Sequence, residues 1–279
     1  MNIKLRLSSV AKGAFVGLLC FLGLSFLLLP SPARAREPKN GYELAKFVYD
    51  RNVGEDSEAW ATMSLVDRRG KERKRQMYIA TRDEGKILKT LIVFLSPKDI
   101  AGTGFLSLAK DNGQEEQFLY LPALRRSRRI AGSFRFQRFV GSDFTYEDME
   151  RHHPDRYEHQ ILGKDTYLKA SCWILESRPK KKKDSKYSRF VQWITQEGFL
   201  PVRVEYYDKK GRLWKVYEAL SFEEIQGIWT VLKAEMKDLK KDHRTLIEVE
   251  KIRYNVGLKS NLFSVRSLEM GLKLVKRRP

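Results

Sequence analysis

Along most of this chain, apolar side chains recur at every second position, in short runs separated by turn signals. That period is the strand period, and it leaves one face of each run apolar. On either side of an irregular middle the runs follow one another at spacings of about 8–15 residues, with no long helix between them. Parallel pairing needs a crossover connection, usually a helix, so consecutive runs must pair as antiparallel meanders. Residues 60–66 and 73–81 flank the cluster Asp67-Arg68-Arg69-Gly70 and predict a hairpin. Residues 103–109 and 116–121 predict a second, around Asn112-Gly113. Further runs at 157–162, 168–177, 187–195, 201–207, 213–220, 228–236 and 244–254 continue the pattern. Counting all of them gives about eleven strands. One amphipathic helix is expected at 40–51, where Leu44, Phe47 and Val48 share a face and Asn40 can cap the start.

Two segments break the pattern. Residues 87–95 are apolar at both parities: Ile87, Leu91, Val93 and Leu95 on one, Leu88, Ile92 and Phe94 on the other. A strand with one wet face would alternate, so this one must be covered on both sides. Residues 122–154 show neither period. They read as an irregular middle with a brief helix near 145–151.

The N-terminus reads as a targeting segment. Lys4, Arg6 and Lys12 precede an apolar run at 14–29, which Pro30 and Pro32 end. Ala33-Arg34-Ala35 then supplies an A-x-A cleavage site, predicting a signal peptide over 1–35 and a single domain over 36–279. An uncleaved anchor is the competing reading, but the run is short of a bilayer span. Lipidation at Cys20 fits less well, since bulky Leu19 precedes it. After Ala35 only Cys172 remains, so no internal disulfide can form.

The chain carries 54 Lys and Arg against 35 Asp and Glu, a net charge of +19. Removing the four basic residues of the first 35 leaves +15. Export argues against nucleic acid as the partner, which leaves anionic membrane surfaces or acidic proteins. The run Lys180-Lys181-Lys182-Lys183 reads as a solvated hairpin loop or a lipid-facing patch.

No catalytic constellation emerges. His152, His153, His159 and His243 lack HExxH-type spacing, and adjacent histidines in a strand point to opposite faces. No strand–turn–helix serine elbow and no cysteine–histidine pair is evident. Gly102 and Gly104 lead into a strand, unlike a phosphate-binding loop, which opens a helix. The arginines Arg125, Arg126, Arg128 and Arg129 form an expected basic turn. Arginine matches carboxylate and phosphate bidentately, so the cluster is a candidate anion clamp. The nearest acids are Asp143, Glu147 and Asp148, and the expectation is that they pair with these arginines.

Several blocks, taken in order, resemble the outer-membrane lipoprotein-sorting proteins, relatives of the LolA and LolB periplasmic carriers. They are G-T-G-F at residues 102–105, F-L-Y-L-P-A-L-R-R-x-R-R-I at 118–130, and G-S-D-F-T-Y-E-D at 141–148. The last contains Gly141, Ser142, Asp143, Phe144, Tyr146 and Asp148, taken as structural motif residues. Cys172-Trp173-Ile174-Leu175 follows later. The resemblance implies a mainly β, α+β fold: a strongly curved antiparallel sheet forming an unclosed half-barrel around short helices. It also implies a non-enzymatic carrier, without cofactor or metal, that binds acyl chains of a lipid or lipidated protein on its concave face. Many such relatives look like companions of RND-type (MMPL) inner-membrane exporters. Candidate cavity residues are Met77, Ile79, Leu91, Val93, Phe105, Phe118, Tyr120 and Trp173. The competing reading is an envelope adaptor that docks through its basic surface and holds no ligand.

Overall fold

The computed structural model describes residues 37–85, 87–110, 114–271 and 275. The expected signal segment, its expected cleavage site and the expected turn at Asn112-Gly113 lie outside those residues. Helix α1 (Gly41–Tyr49) opens the described chain, and the Asn40 side chain accepts the Glu43 N–H at 2.9 Å. That bond satisfies one of the orphan donors of the first turn.

Six strands follow: β1 (Asp56–Val66), β2 (Glu72–Asp83), β3 (Leu88–Ser96), β4 (Gly104–Ala109), β5 (Glu115–Leu121) and β6 (Arg126–Ile130). After an irregular stretch come β7 (Tyr157–Tyr167), β8 (Ala170–Pro179), β9 (Arg189–Thr195) and β10 (Pro201–Tyr207). The series ends with β11 (Leu213–Ile225), β12 (Ile228–Asp238) and β13 (His243–Tyr254), before helix α2 (Val265–Met270). All thirteen strands form one antiparallel sheet in the order β6-β5-β4-β3-β2-β1-β13-β12-β11-β10-β9-β8-β7. Each half is a meander, and pairing of β1 with β13 joins them. The outermost strands, β6 and β7, are not paired to each other, so the sheet stays open.

Three features depart from the sequence reading. The expected basic turn is a strand. The reversal comes earlier, in a single 3₁₀ turn over Pro122–Leu124, and Arg125 takes the left-handed φ of 47° that redirects the chain. Proline suits that turn because its φ is already fixed and its missing N–H is not needed. Arg126–Ile130 then pairs with β5 as the sheet edge, where arginines on an exposed strand discourage further strand addition. Gly163 does not end its strand either. It sits at a bulge in β7, between Ile161 and Gly163, which absorbs one extra residue and lets pairing with β8 continue. The terminal helix α2 had no clear periodic signal over its six residues.

The sheet buries both faces near β3. The β2–β3 register places Met77 opposite Phe94 and Ile79 opposite Ile92, and β4 continues that face with Phe105. We term this the inner face, because the irregular stretch packs on it through Phe139, Phe144 and Tyr146. On the outer face Tyr78, Ala80, Leu91, Val93 and Leu106 pack under Leu258, Leu262, Phe263 and Leu268 of the C-terminal segment. The approach is close enough that a Cβ at Gly104 would lie 2.6 Å from Leu268 Cδ1, so a side chain there would have to displace the end of Leu268. Strand β3 is therefore enclosed as its apolar composition demands: Leu91, Ile92, Val93 and Phe94 are all buried.

A carboxylate on either face of β3 has no partner there. Leu91→Asp and Ile92→Asp should each lower stability by roughly 3 kcal/mol or more. Urea unfolding checks this: a near-normal midpoint for either variant contradicts two-sided burial.

Candidate functional site

The two meanders end at opposite edges of the sheet, so the chain between β6 and β7 must travel across the inner face. Residues 131–156 make that passage as a string of 3₁₀ turns joined by extended residues. Aromatic side chains carry it. Phe139 packs edge-on to Phe105 and to Tyr146, with ring centroids 5.1 and 5.6 Å apart. Arrangements of this kind add to the burial itself. Ser142 is buried and donates its hydroxyl to the Phe139 carbonyl, and Gly141 takes a φ of 79° that sets the reversal.

Buried acids then pin the passage to the sheet. Asp143 is ion-paired with Arg138, His243 Nδ1 lies 2.6 Å from its Oδ2, and Thr245 donates a hydroxyl at 2.7 Å. Asp148 accepts from Tyr187 at 2.8 Å, from the buried Lys215 ammonium at 3.2 Å and from the Thr145 N–H at 2.7 Å. Glu147 accepts the Lys186 N–H at 3.0 Å. Burial pushes the Glu147 carboxyl up to about 7 despite that bond, and burial does the same to Glu115 on β5. The expected pairing of these acids with the arginine cluster is thus replaced. Arg129 pairs with Glu116 at 2.8 Å, Arg128 lies over the Phe134 ring, and Arg125 and Arg126 are exposed. The edge strand carries its arginines outward while the acids turn inward to the sheet.

Helix α1 covers the rest of the inner face, setting Leu44 and Ala45 against Trp173, Leu175 and Ile194. Gly41 makes this approach feasible, since a Cβ there would sit 2.7 Å from the His159 backbone. Between α1, the passage and β9 lies a cavity of about 280 Å³. Val48, Leu88 and Phe190 supply apolar lining, and Arg51, Arg151 and His152 add polar groups. Burial holds His152 down to about 4, so it is neutral at neutral pH, stacked on Phe190 with its Nδ1 3.0 Å from the Tyr157 hydroxyl. A second hollow of about 450 Å³ opens between the sheet edges, lined by Arg129, Arg135, Arg156, Lys181, Glu115 and Asp184.

The eight candidate cavity residues do not meet in one place. Met77, Ile79 and Phe105 belong to the inner face; Leu91, Val93, Phe118 and Tyr120 belong to the outer face; Trp173 packs under α1. Register explains the division, since β2–β3 pairing puts Leu91 and Val93 on the parity opposite Met77. Motif residues Gly141, Ser142, Asp143, Phe144, Tyr146 and Asp148 all lie in the passage. Cys172 is buried and its thiol is pushed up to about 11, which leaves it inert. Among the described residues no three His, Cys, Asp or Glu side chains are placed to hold a metal.

Sequence reasoning missed Arg51, Arg138, Lys215 and His243. Lys215 carried a readable signal: it shares the inward parity of Tyr217 in β11, and a cation in an apolar row implies a buried acid opposite. The others depend on which loops meet.

A family model described as an uncharacterized protein matches residues 87–270. Among solved structures, a DUF1329 family protein from Desulfovibrio piger is 35% identical with a TM-score of 0.76, covering 82% of this chain and 97% of its own. A domain assigned as an outer membrane lipoprotein-sorting protein, from Vibrio parahaemolyticus, is 30% identical with a TM-score of 0.77, covering 82% and 98%. A LolA superfamily protein from Nitrosomonas europaea shares the fold at 17% identity and a TM-score of 0.61, covering 81% and 97%. No curated protein matches the chain significantly.

Two measurements follow from the anchors. In double-mutant cycles, Arg138→Ala and Asp143→Ala should couple, because each removes the same ion pair, whereas Arg126→Ala and Asp143→Ala should add. The opposite pattern would restore the arginine edge as the acids' partner. Glu147→Gln tests the buried carboxyl. Its folded pKa, about 7, lies above the ordinary 4.5, so its contribution is full below pH 4.5 and is lost as pH rises to about 7. Relative to wild type, the glutamine variant should gain on the order of 3 kcal/mol across that window. A stability difference that does not change with pH contradicts this assignment.

Proposed function

The chain belongs to the DUF1329 family, and on that footing we propose that it is a non-enzymatic carrier of a lipid or lipidated protein in the cell envelope. The observation that supports this most is how the inner face is covered. No second sheet closes over it; a nine-residue helix and a passage of 3₁₀ turns do, held by a few polar anchors. Such a cover can be displaced without unpairing the sheet. The acyl chain would then bury against Met77, Ile92, Phe94 and Phe105, contributing about 0.8 kcal/mol per CH₂. Likeness to a lipoprotein-sorting domain supports the same substrate class.

The finer reading places the protein in the periplasm, with the signal peptide removed after Ala35 and residues 36–279 acting as one carrier domain. An RND-type (MMPL) inner-membrane exporter would serve as partner. The charge of +15 that remains would favour approach to anionic head groups.

One observation favours the adaptor reading instead. Phe94, Phe105, Phe139 and Tyr146 pack ring against ring over the centre of the inner face and leave no chain-sized space there. Native mass spectrometry of protein purified from the periplasm separates the two. A carrier should retain a lipid mass; repeated empty spectra under gentle conditions favour the adaptor.

A further inference from the structure

The cavity beneath α1 holds an arginine with no partner. Arg51 follows directly on the helix and lines the cavity, yet it makes no hydrogen bond or ion pair with any described residue. Three other inward cations are matched by acids: Lys215 by Asp148, and Arg135 and Arg156 by Glu150. Arg51 is half-buried, and a guanidinium that gives up part of its hydration without an acceptor is stabilised when an anion joins it. Arg151 lines the same cavity. It lies over the Tyr49 ring and donates through Nη2 to the Tyr49 carbonyl, while its buried Nη1 lacks a hydrogen-bond partner and lies 3.9 Å from the Asp83 carboxylate, a long ion pair.

The remaining polar lining does not supply the missing anion. Glu150 is engaged twice by Arg135, at 2.8 and 2.6 Å, and once by Arg156 at 3.3 Å. His159 Nδ1 lies 2.8 Å from the Ser177 hydroxyl and its Nε2 2.9 Å from the Pro154 carbonyl. His152 is held by Tyr157 and is neutral. Burial lowers the Arg51 pKa, and the Arg151 charge adds to that, so the two cations disfavour each other across an empty space. The other walls are apolar: Ala45, Val48, Val53, Leu88, Phe190 and Pro201. At about 280 Å³ the space lies at the lower end of the range for small-molecule sites.

We propose that this cavity takes the anionic head of a single-chain amphiphile, a carboxylate or phosphate held by Arg51 and Arg151, with the start of its tail against Val48, Leu88 and Phe190. The assignment rests on the carrier reading and gives it a head-group preference. Guanidinium provides paired donors in the geometry of both anions, and two of them converge on a site otherwise built for hydrocarbon.

Titration calorimetry with palmitate, palmitoyl lysophosphatidate and uncharged methyl palmitate tests it on the purified protein. The wild type should bind one or both anions at least about tenfold more tightly than the ester, as expected for a charge-assisted hydrogen bond. Which anion is preferred identifies carboxylate or phosphate as the head. Arg51→Gln should collapse the ratio of anion to ester affinity towards one, while Arg51→Lys should keep part of it. The wild-type ratio needs no variant, so misfolding of either substitution leaves the test decisive. Equal affinity for all three ligands overturns the head-group assignment and leaves the carrier reading standing. Binding of none of them overturns both. Full preference retained by a folded Arg51→Gln overturns the role of Arg51.

Discussion

An open antiparallel sheet with an apolar face cannot leave that face in water, and the architecture follows from how this chain covers it. The two meanders meet at β1 and β13, which puts their far ends, β6 and β7, at opposite edges. The connection between them must cross the sheet. By crossing on the inner face with Phe139, Phe144 and Tyr146 turned inward, it satisfies topology and burial together. Helix α1 covers the remaining area over β8 and β9. Cover and sheet are then held by side chains alone, since no strand pairing ties the passage to either edge beyond one isolated bridge inside it, Arg138 with Thr145.

Irregular backbone across a core leaves donors and acceptors that no ladder satisfies, and buried polar groups cost free energy unless partnered. The passage answers with acids. Asp143 gathers Arg138, His243 and Thr245, and Asp148 gathers Tyr187, Lys215 and the Thr145 N–H. These groups specify one seating of the passage more than they add net stability, because ion pairs lose much of their attraction to desolvation. Arg51 stands apart. Lys215, Arg135 and Arg156 have acids beside them, whereas Arg51 has no such partner among the described residues.

The outer face is covered by the C-terminal segment. Leu258, Leu262, Phe263 and Leu268 pack on β2–β4, the Asp56 carboxylate accepts the Val256 and Leu258 N–H groups at 2.8 and 2.9 Å, and Arg82 donates to the Leu258 carbonyl at 2.6 Å. The packing of those apolar side chains is close, as in an ordinary protein core.

Period two was legible along the chain and settled the antiparallel meander, most strand positions and the two-sided burial of residues 87–95. The Asn40 cap was equally local. These features depend on neighbours a few residues apart, so the sequence alone determines them. Three things belonged to tertiary structure. Parity says which side chains share a face but not which face is inner, and the β2–β3 register decided that Leu91 and Val93 point away from Met77. Charge composition says that arginines and acids are abundant but not who pairs with whom; Asp143 chose Arg138 and His243, a neighbour and a strand 100 residues on, over the arginine edge. The cavity beneath α1 arises where a helix, an irregular passage and five strands converge, and no segment of the chain encodes it by itself. Local periodicity specifies the elements because backbone geometry repeats over a few residues. Partners and cavities are specified only when distant segments are brought together to exclude water.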